Sequence, residues 1–220
     1  VAGVREIIAC TPPDPGLQIN PVILAAAHLA GAQRIYKIGG PWAIASMAYG
    51  TATVPQVDKI VGPGNKYVTA AKLLVFGEVA IDSPAGPSET LILADQTAEA
   101  RLVALDFLSQ VEHDPDAAAV LVTTWEPLAI KVLDILKEDI NSLPRKEILL
   151  GALNNHSALL LADDLEEAVN FVNDYAPEHL QIMTREPFAV LPRISHAGSI
   201  FLGQYAPVPV GDYASGTNHV

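Results

Sequence analysis

Apolar residues along this chain fall into short blocks of two kinds. One kind is compact and rich in β-branched residues, with Gly, Pro, Asn or Asp at its borders. The other is longer and spaced three or four residues apart. The first pattern predicts strands and the second amphipathic helices. Val4–Cys10 reads as a strand, 11–16 as a Pro-rich loop, and Asn20-Pro21 as an N-cap and N1 proline opening a helix through Ala30 that Gly31 stops. A strand over Arg34–Ile38, a helix over Pro41–Tyr49, a strand over Lys59–Val61, a helix over Asn65–Val75 and a strand over Val79–Asp82 follow. Beyond the Gly/Pro-rich stretch at 83–88 the alternation resumes, with strands at Thr90–Ala94, Ala118–Thr123, Ala158–Ala162, Leu180–Met183 and Ser199–Leu202. Helices are predicted between them over Thr97–Glu112, Glu126–Asn141 and Leu165–Tyr175. Strands alternating with helices predict an α/β fold with mainly parallel sheets. Two such series predict two Rossmann-like, incomplete lobes, residues 1–87 and 88–220, with a cleft between them.

Composition narrows the partners. Of 220 residues, 50% are hydrophobic, enough for one large or two small cores, and the formal net charge is −12. So acidic a chain argues against a nucleic-acid partner and against an anionic membrane surface. A single cysteine, Cys10, excludes an intrachain disulfide framework and a thiolate metal cage. No uninterrupted apolar run reaches about 18 residues, so no membrane span is predicted. These features predict a soluble cytoplasmic protein. The opening Val1-Ala2-Gly3 and the closing polar Thr217-Asn218-His219-Val220 predict a segment of a longer chain.

Several stretches carry residues suited to chemistry. Tyr175-Ala176-Pro177-Glu178-His179-Leu180-Gln181 sets a Glu and a His side by side at a helix-to-strand junction. Both can exchange protons if their surroundings permit. In a regular strand adjacent side chains point to opposite faces, so the two can share a site only if the turn before the strand is irregular. Gln110 and His113 stand three apart near the end of a predicted helix, on one face, where chelation competes with a simple helix-terminal histidine. Gly62-Pro63-Gly64-Asn65 lies between strand and helix, where a backbone can approach an anion. Tyr67 stands where a dinucleotide fingerprint needs its third glycine, so a plain turn is the competing reading. Gly39-Gly40 is a similar element. The polar stretch 211–219, holding Asp212 and His219, reads as a loop. Cys10 reads as a buried small hydrophobe, and His28 and His156 (the latter in a turn) as structural or solvated.

Five segments in order resemble the signature segments of the histidinol dehydrogenase family. They are Lys59-Ile60-Val61-Gly62-Pro63-Gly64-Asn65, the run from Ile81 to Glu89, Leu108-Ser109-Gln110-Val111-Glu112-His113, Ala176-Pro177-Glu178-His179-Leu180, and the run from Gly211 to Val220. The resemblance implies a zinc-dependent, NAD-linked homodimeric enzyme that oxidises L-histidinol through the aldehyde to L-histidine. It puts Gln110, His113 and Asp212 on metal-ligand positions that also face substrate, Ser88 and His179 on substrate-contacting positions, Asn65 on an NAD-contacting position, and Glu178 and His179 on the acid/base pair. It also makes the first lobe an insert on the NAD side. Trp42 stands where the family usually has a cofactor-contacting Gln. The family's chain is about twice as long, and its missing parts supply a fourth zinc ligand, a substrate-binding Glu and an NAD-contacting Tyr. A sister enzyme acting on another small polar alcohol, or a non-catalytic metal- or nucleotide-binding module, is the alternative.

Overall fold

A computed structural model of the chain describes residues 3–82 and 88–213, excepting the side chains of Asp212 and Tyr213. The chain divides into two compact units, Val1–Gly86 and Pro87–Val220.

The first unit runs β1 (Ile8–Cys10), α1 (Pro21–Leu29), β2 (Arg34–Tyr36), α2 (Gly40–Tyr49), β3 (Lys59–Ile60), α3 (Lys66–Val75) and β4 (Ala80–Ile81). β1 pairs with β2 and β3 with β4, both in parallel. The Asn20 side chain accepts the Val22 N–H, so α1 starts at the N-cap read from the sequence. β1 is shorter than its apolar run. At Ile7 only the carbonyl keeps a backbone bond, from the Gln33 N–H at 2.9 Å, while the Ile7 N–H donates to Gln33 Oε1 at 2.6 Å and Gln33 Nε2 donates to the Arg5 carbonyl at 3.1 Å. A small core of Ile44, Ala48, Ile60, Val75 and Val79 holds α2 and α3 to β3 and β4.

The second unit runs β5 (Glu89–Ala94), α4 (Ala100–Val111), β6 (Ala118–Thr123), α5 (Glu126–Asp139), α6 (Lys146–His156), β7 (Ala158–Leu161), α7 (Leu165–Tyr175), β8 (His179–Met183), α8 (Pro187–Val190), β9 (Ser199–Leu202) and α9 (Val208–Tyr213). Five strands form one sheet in the order β7-β6-β5-β8-β9, and every pair in it is parallel. Alternation along the strands feeds two cores. Ile92, Ala94, Ala119, Leu121 and Met183 face α4, α5 and α6. Leu91, Leu93, Val120, Val122, Leu180 and Ile182 face α7 and α8. Side chains such as Leu91, Ile92 and Leu121 are fully buried, each contributing about 1.5–3 kcal/mol. This is the α/β class with mainly parallel sheets that the hydrophobic pattern predicts.

Two local readings change. Residues 208–213 are helical, with Pro209 in the first turn where its missing N–H costs nothing, so the segment read as a loop from 211 begins as helix. Residues 214–219 of that segment, and 83–87 of the inter-lobe stretch, lie outside the described residues. α6 has no counterpart in the sequence reading, because Gly151 and Asn154-Asn155 are poor helix formers. Tertiary packing overrides that weakness by burying Leu149 and Ala152 in the first of the two cores. His156 is therefore the last residue of α6, with its Nε2 3.9 Å from an Asp116 carboxylate oxygen.

Gly151 tests the point. A Cβ there would sit 3.5 Å from the Pro115 Cβ, ordinary contact, in a helix interior that favours alanine. Gly151→Ala is expected to raise unfolding stability by about 0.5–1 kcal/mol in urea titration; a loss of stability would show that the Pro115 contact is tighter than it looks.

Candidate functional site

β5 and β8 are neighbours in the sheet, with Thr90 opposite His179. α7 ends at Tyr175, and Ala176 turns left-handed at φ 53° while its N–H bonds the Val172 carbonyl at 2.9 Å. A left-handed alanine costs about 1–2 kcal/mol, and Pro177 bars any return to helix. The turn before the strand is thus irregular, as a shared site for Glu178 and His179 requires. His179 Nδ1 lies 3.2 Å from the Glu89 carbonyl and 3.4 Å from Ser88 Oγ. The Glu89 N–H donates to Glu178 Oε2 at 3.4 Å. Both groups are therefore registered on one residue of the adjacent strand. A carbonyl can only accept, so Nδ1 carries the proton and Nε2 is the basic nitrogen. The ring is 4% exposed and lies against Phe201.

α4 runs back against the sheet, and its carboxyl end returns to the same edge. Gln110 is buried and accepts the Thr90 hydroxyl at 2.7 Å through Oε1, while its Nε2 has no partner among the described residues. A hydroxyl can also accept, so turning the amide over would satisfy the nitrogen at Thr90 and present the oxygen where the orphaned atom now stands. That orphan marks a position suited to a metal or ligand donor. His113 lies three residues on, exposed beyond the end of α4. Asp212 is in α9, and its side chain is outside the described residues. Among the described residues no three His, Cys, Asp or Glu side chains converge. The donor set Gln110 and His113 suits zinc, which takes nitrogen and oxygen ligands.

Deeper on the same face, Asp106 on α4 and Gln181 on β8 are both buried. Burial pushes the Asp106 carboxyl up to about 6, against a hydrogen bond from Gln181 that lowers it. Gln181 Nε2 donates to the Ala206 carbonyl at 3.3 Å. Thr90, Asp106, Gln110, His179 and Gln181 thus form a polar wedge between sheet and helix. Sequence reasoning missed Glu89, Thr90, Asp106, Tyr175 and Gln181. The available signal was Asp106, which occupies the apolar stripe Val103-Phe107-Gln110, and Gln181, which interrupts the apolar strand Leu180–Met183.

In the first unit, Asn65 caps α3 by accepting the N–H groups of Tyr67 and Val68 at 3.1 and 3.2 Å. Those donors, which an anion would otherwise meet, are taken by the cap. Gly64 has a packing reason, since a Cβ would come within 2.5 Å of the Val68 Cβ. Gly39 likewise admits Pro12, whose Cβ lies 2.9 Å from where its own Cβ would be. The Gly62 peptide is clamped from both sides: its N–H donates to Asp82 Oδ2 at 2.6 Å and its carbonyl accepts from Lys72 Nζ at 2.8 Å. Lys72 is buried and forms a salt bridge with Asp82. Trp42 lies in α2 with 76% of its surface exposed. Cys10 is half-buried, and burial pushes its thiol up, away from thiolate chemistry.

Comparison with known proteins gives one answer at several levels. A family profile described as histidinol dehydrogenase matches residues 1–220. A histidinol dehydrogenase of Methanocaldococcus jannaschii is 57% identical over the whole chain, which covers 51% of that protein. The crystal structure of histidinol dehydrogenase from Elizabethkingia anophelis superposes with a TM-score of 0.91 at 47% identity, over 99% of this chain and 50% of that one. A propionaldehyde dehydrogenase from Clostridium phytofermentans, 15% identical with a TM-score of 0.52 over 90% of this chain and 58% of its own, shares the fold alone. The chain spans about half the length of the curated relatives it matches.

Two outcomes follow from the buried charges. Lys72→Met is expected to destabilise the chain by about 3 kcal/mol in chemical denaturation, because it strands Asp82 and the Gly62 carbonyl. Adding Asp82→Leu should recover part of that loss. Asp106 has its carboxyl raised in the fold, so the ionised form opposes folding. That opposition is absent below the unfolded value of about 4 and full above about 6. The Tm gain of Asp106→Asn is therefore expected to be larger at pH 8 than at pH 4; an equal gain at both would contradict the burial argument.

Proposed function

This chain belongs to the histidinol dehydrogenase family, and on that premise we propose that it carries the acid/base residues and most of the metal site of an NAD-linked, four-electron oxidation of L-histidinol, through L-histidinal, to L-histidine. The observation that carries the reading is the registration of Glu178 and His179 on Glu89, with Nε2 left as the basic nitrogen of a buried imidazole.

His179 takes the hydroxyl proton from substrate through Nε2 as the carbinol carbon is oxidised, releases it to solvent, and takes a second proton when the hydrated aldehyde is oxidised. Glu178, partly exposed, accepts a proton from the water that hydrates the aldehyde. Ser88, beside His179, offers a hydroxyl to hold the substrate. Gln110, His113 and Asp212 are the residues that would hold zinc, with Thr90 fixing the Gln110 amide. Bound zinc would orient and polarise substrate nitrogen and oxygen atoms, and NAD would accept the hydrides. The residues 1–87 form the NAD side, with Asn65 at the cofactor and Trp42 standing in place of the family's cofactor-contacting Gln. Because the Asn65 oxygen is engaged as a helix cap, its amide nitrogen is the atom suited to that contact. The homodimer and the cytoplasmic setting belong to the same proposal. The described helices offer none long and apolar enough to cross a membrane.

The reading separates the two residues kinetically. In a protein of full family length carrying this sequence, His179→Asn is expected to slow oxidation of alcohol and aldehyde alike by about 10²–10⁴-fold. Glu178→Gln should act mainly on the aldehyde-to-acid step. Small and equal effects of both substitutions on both half-reactions, measured as NADH formation from histidinol and from histidinal, would remove the assigned roles.

A further inference from the structure

Glu89 is absent from the roles assigned so far, yet three hydrogen bonds of the Glu178–His179 pair end on it. Its carboxylate accepts the Tyr175 hydroxyl through Oε2 at 3.1 Å and the Glu178 N–H through Oε1 at 3.4 Å. Its own N–H donates to Glu178 Oε2, and its carbonyl meets His179 Nδ1. Tyr175 closes α7 and Glu178 opens the approach to β8, so the carboxylate spans the left-handed turn at Ala176 and ties both of its ends to β5. The far side of the Glu178 peptide is also fixed. Its carbonyl accepts the Ser199 N–H at 2.8 Å, and Gly198 packs so close that a Cβ would lie 2.6 Å from that oxygen. The peptide can therefore shift only by breaking its bonds to Glu89 or to β9.

We propose that Glu89, with Tyr175 as its partner, is a positioning residue for the acid/base pair, its carboxylate holding the strained turn so that Glu178 and His179 stay in register with β5. The proposal rests on the functional reading above, in which that pair moves the protons. Long hydrogen bonds of about 3.4 Å in an unliganded site are the ones expected to tighten when substrate binds. Tyr175 suits a permanent tether. Burial, followed by the charge of Glu89 and the hydrogen bond to it, pushes its hydroxyl up to about 12, so it donates throughout the working pH range. A tether of this kind leaves substrate affinity alone and acts on turnover, because misplacement of a reacting group by about 1 Å can cost on the order of 10²-fold.

Two readouts test this. The first uses the 220-residue chain labelled with 15N, in which imidazole nitrogen shifts report the His179 tautomer and amide exchange reports the Glu178 N–H. The second is steady-state kinetics in a protein of full family length carrying the same residues. Glu89→Ala is expected to mix the His179 tautomers, to speed Glu178 amide exchange by about tenfold or more, and to lower kcat by about 10–100-fold with KM for histidinol within about threefold. Tyr175→Phe should move each readout in the same direction by less, and adding it to Glu89→Ala should cost nothing further. Glu89→Gln, which keeps one acceptor oxygen, should restore part of kcat. If Glu89→Ala does not fold, Tyr175→Phe and Glu89→Gln carry the same criteria. An unchanged tautomer, unchanged exchange and kcat within twofold of the parent would overturn the tether. Tautomer and exchange shifts without any change in kcat would instead overturn the acid/base reading on which the proposal rests.

Discussion

The pairing of β5 with β8 is the constraint on which the site depends. It sets Thr90 opposite His179, and with that one register every polar group of the wedge falls into place. Glu89 lies beside Glu178, Ser88 reaches the imidazole, and Thr90 turns toward α4 to meet Gln110. Side chains alternate along a strand, so a slip of one residue would exchange Thr90, His179 and Gln181 with the apolar set of Leu91, Leu180 and Ile182. Two dry cores, one on each face of the sheet, oppose that slip. The register is thus specified by apolar packing that takes no part in chemistry. Its consequence is the geometry of groups that do.

Buried polar groups are tolerated only when their partners are present. Thr90 meets this condition through Gln110, and His179 does through Ser88 and the Glu89 carbonyl. Among the described residues the two glutamines meet it only in part, with one amide atom each unpartnered, the Gln110 nitrogen and the Gln181 oxygen. An unmade bond on a buried amide costs about 1–3 kcal/mol. A fold shaped by stability alone would place Leu or Met at both positions, as it does around them. The two orphans and the raised carboxyl of Asp106 lie on one face near one edge, which is where a ligand would complete the bonding.

The sequence disclosed the alternation of strands and helices because burial on both faces of a parallel sheet leaves unbroken apolar runs. It disclosed Gln110 with His113, and Glu178 with His179, because each pair is local in the chain. What it could not disclose is set by distance. Glu89 meets Tyr175 across 86 residues, and Thr90 meets Gln110 through a crossover whose register no local pattern encodes. α6 escaped because Gly151 and its asparagines speak against a helix that only tertiary burial of Leu149 and Ala152 supports. Asp212 was singled out only by its place in a motif, its side chain lies outside the described residues, and the helix that carries it lies in a segment whose composition reads as loop. Local chemistry was legible, and the partners that position it were not.

Doubly wound sheets usually place ligands at the carboxyl ends of strands, in the crevice where strand order reverses. Here order reverses between β5 and β8, since β6 and β7 continue on one side of β5 while β8 and β9 lie on the other. The candidate groups are at that reversal but at the opposite edge, the amino ends of the two strands. At the carboxyl edge the donors are already engaged. Asp95, one residue beyond β5, accepts the Arg185 N–H at 2.9 Å, the Thr97 N–H at 2.8 Å and the Thr97 hydroxyl. Although partial burial raises its carboxyl, these donors outweigh burial and hold it below the usual range. Gln204 reaches over to the Glu99 N–H at the start of α4. The side chains of Asp95 and Gln204 thus occupy three backbone N–H groups at this edge, donors that an anionic ligand would otherwise meet. At the amino edge the irregular turn after α7 presents side chains rather than backbone amides. A site built from side chains can carry an imidazole, a carboxylate and an amide in one place, and proton transfer needs such groups more than it needs a cradle of N–H donors.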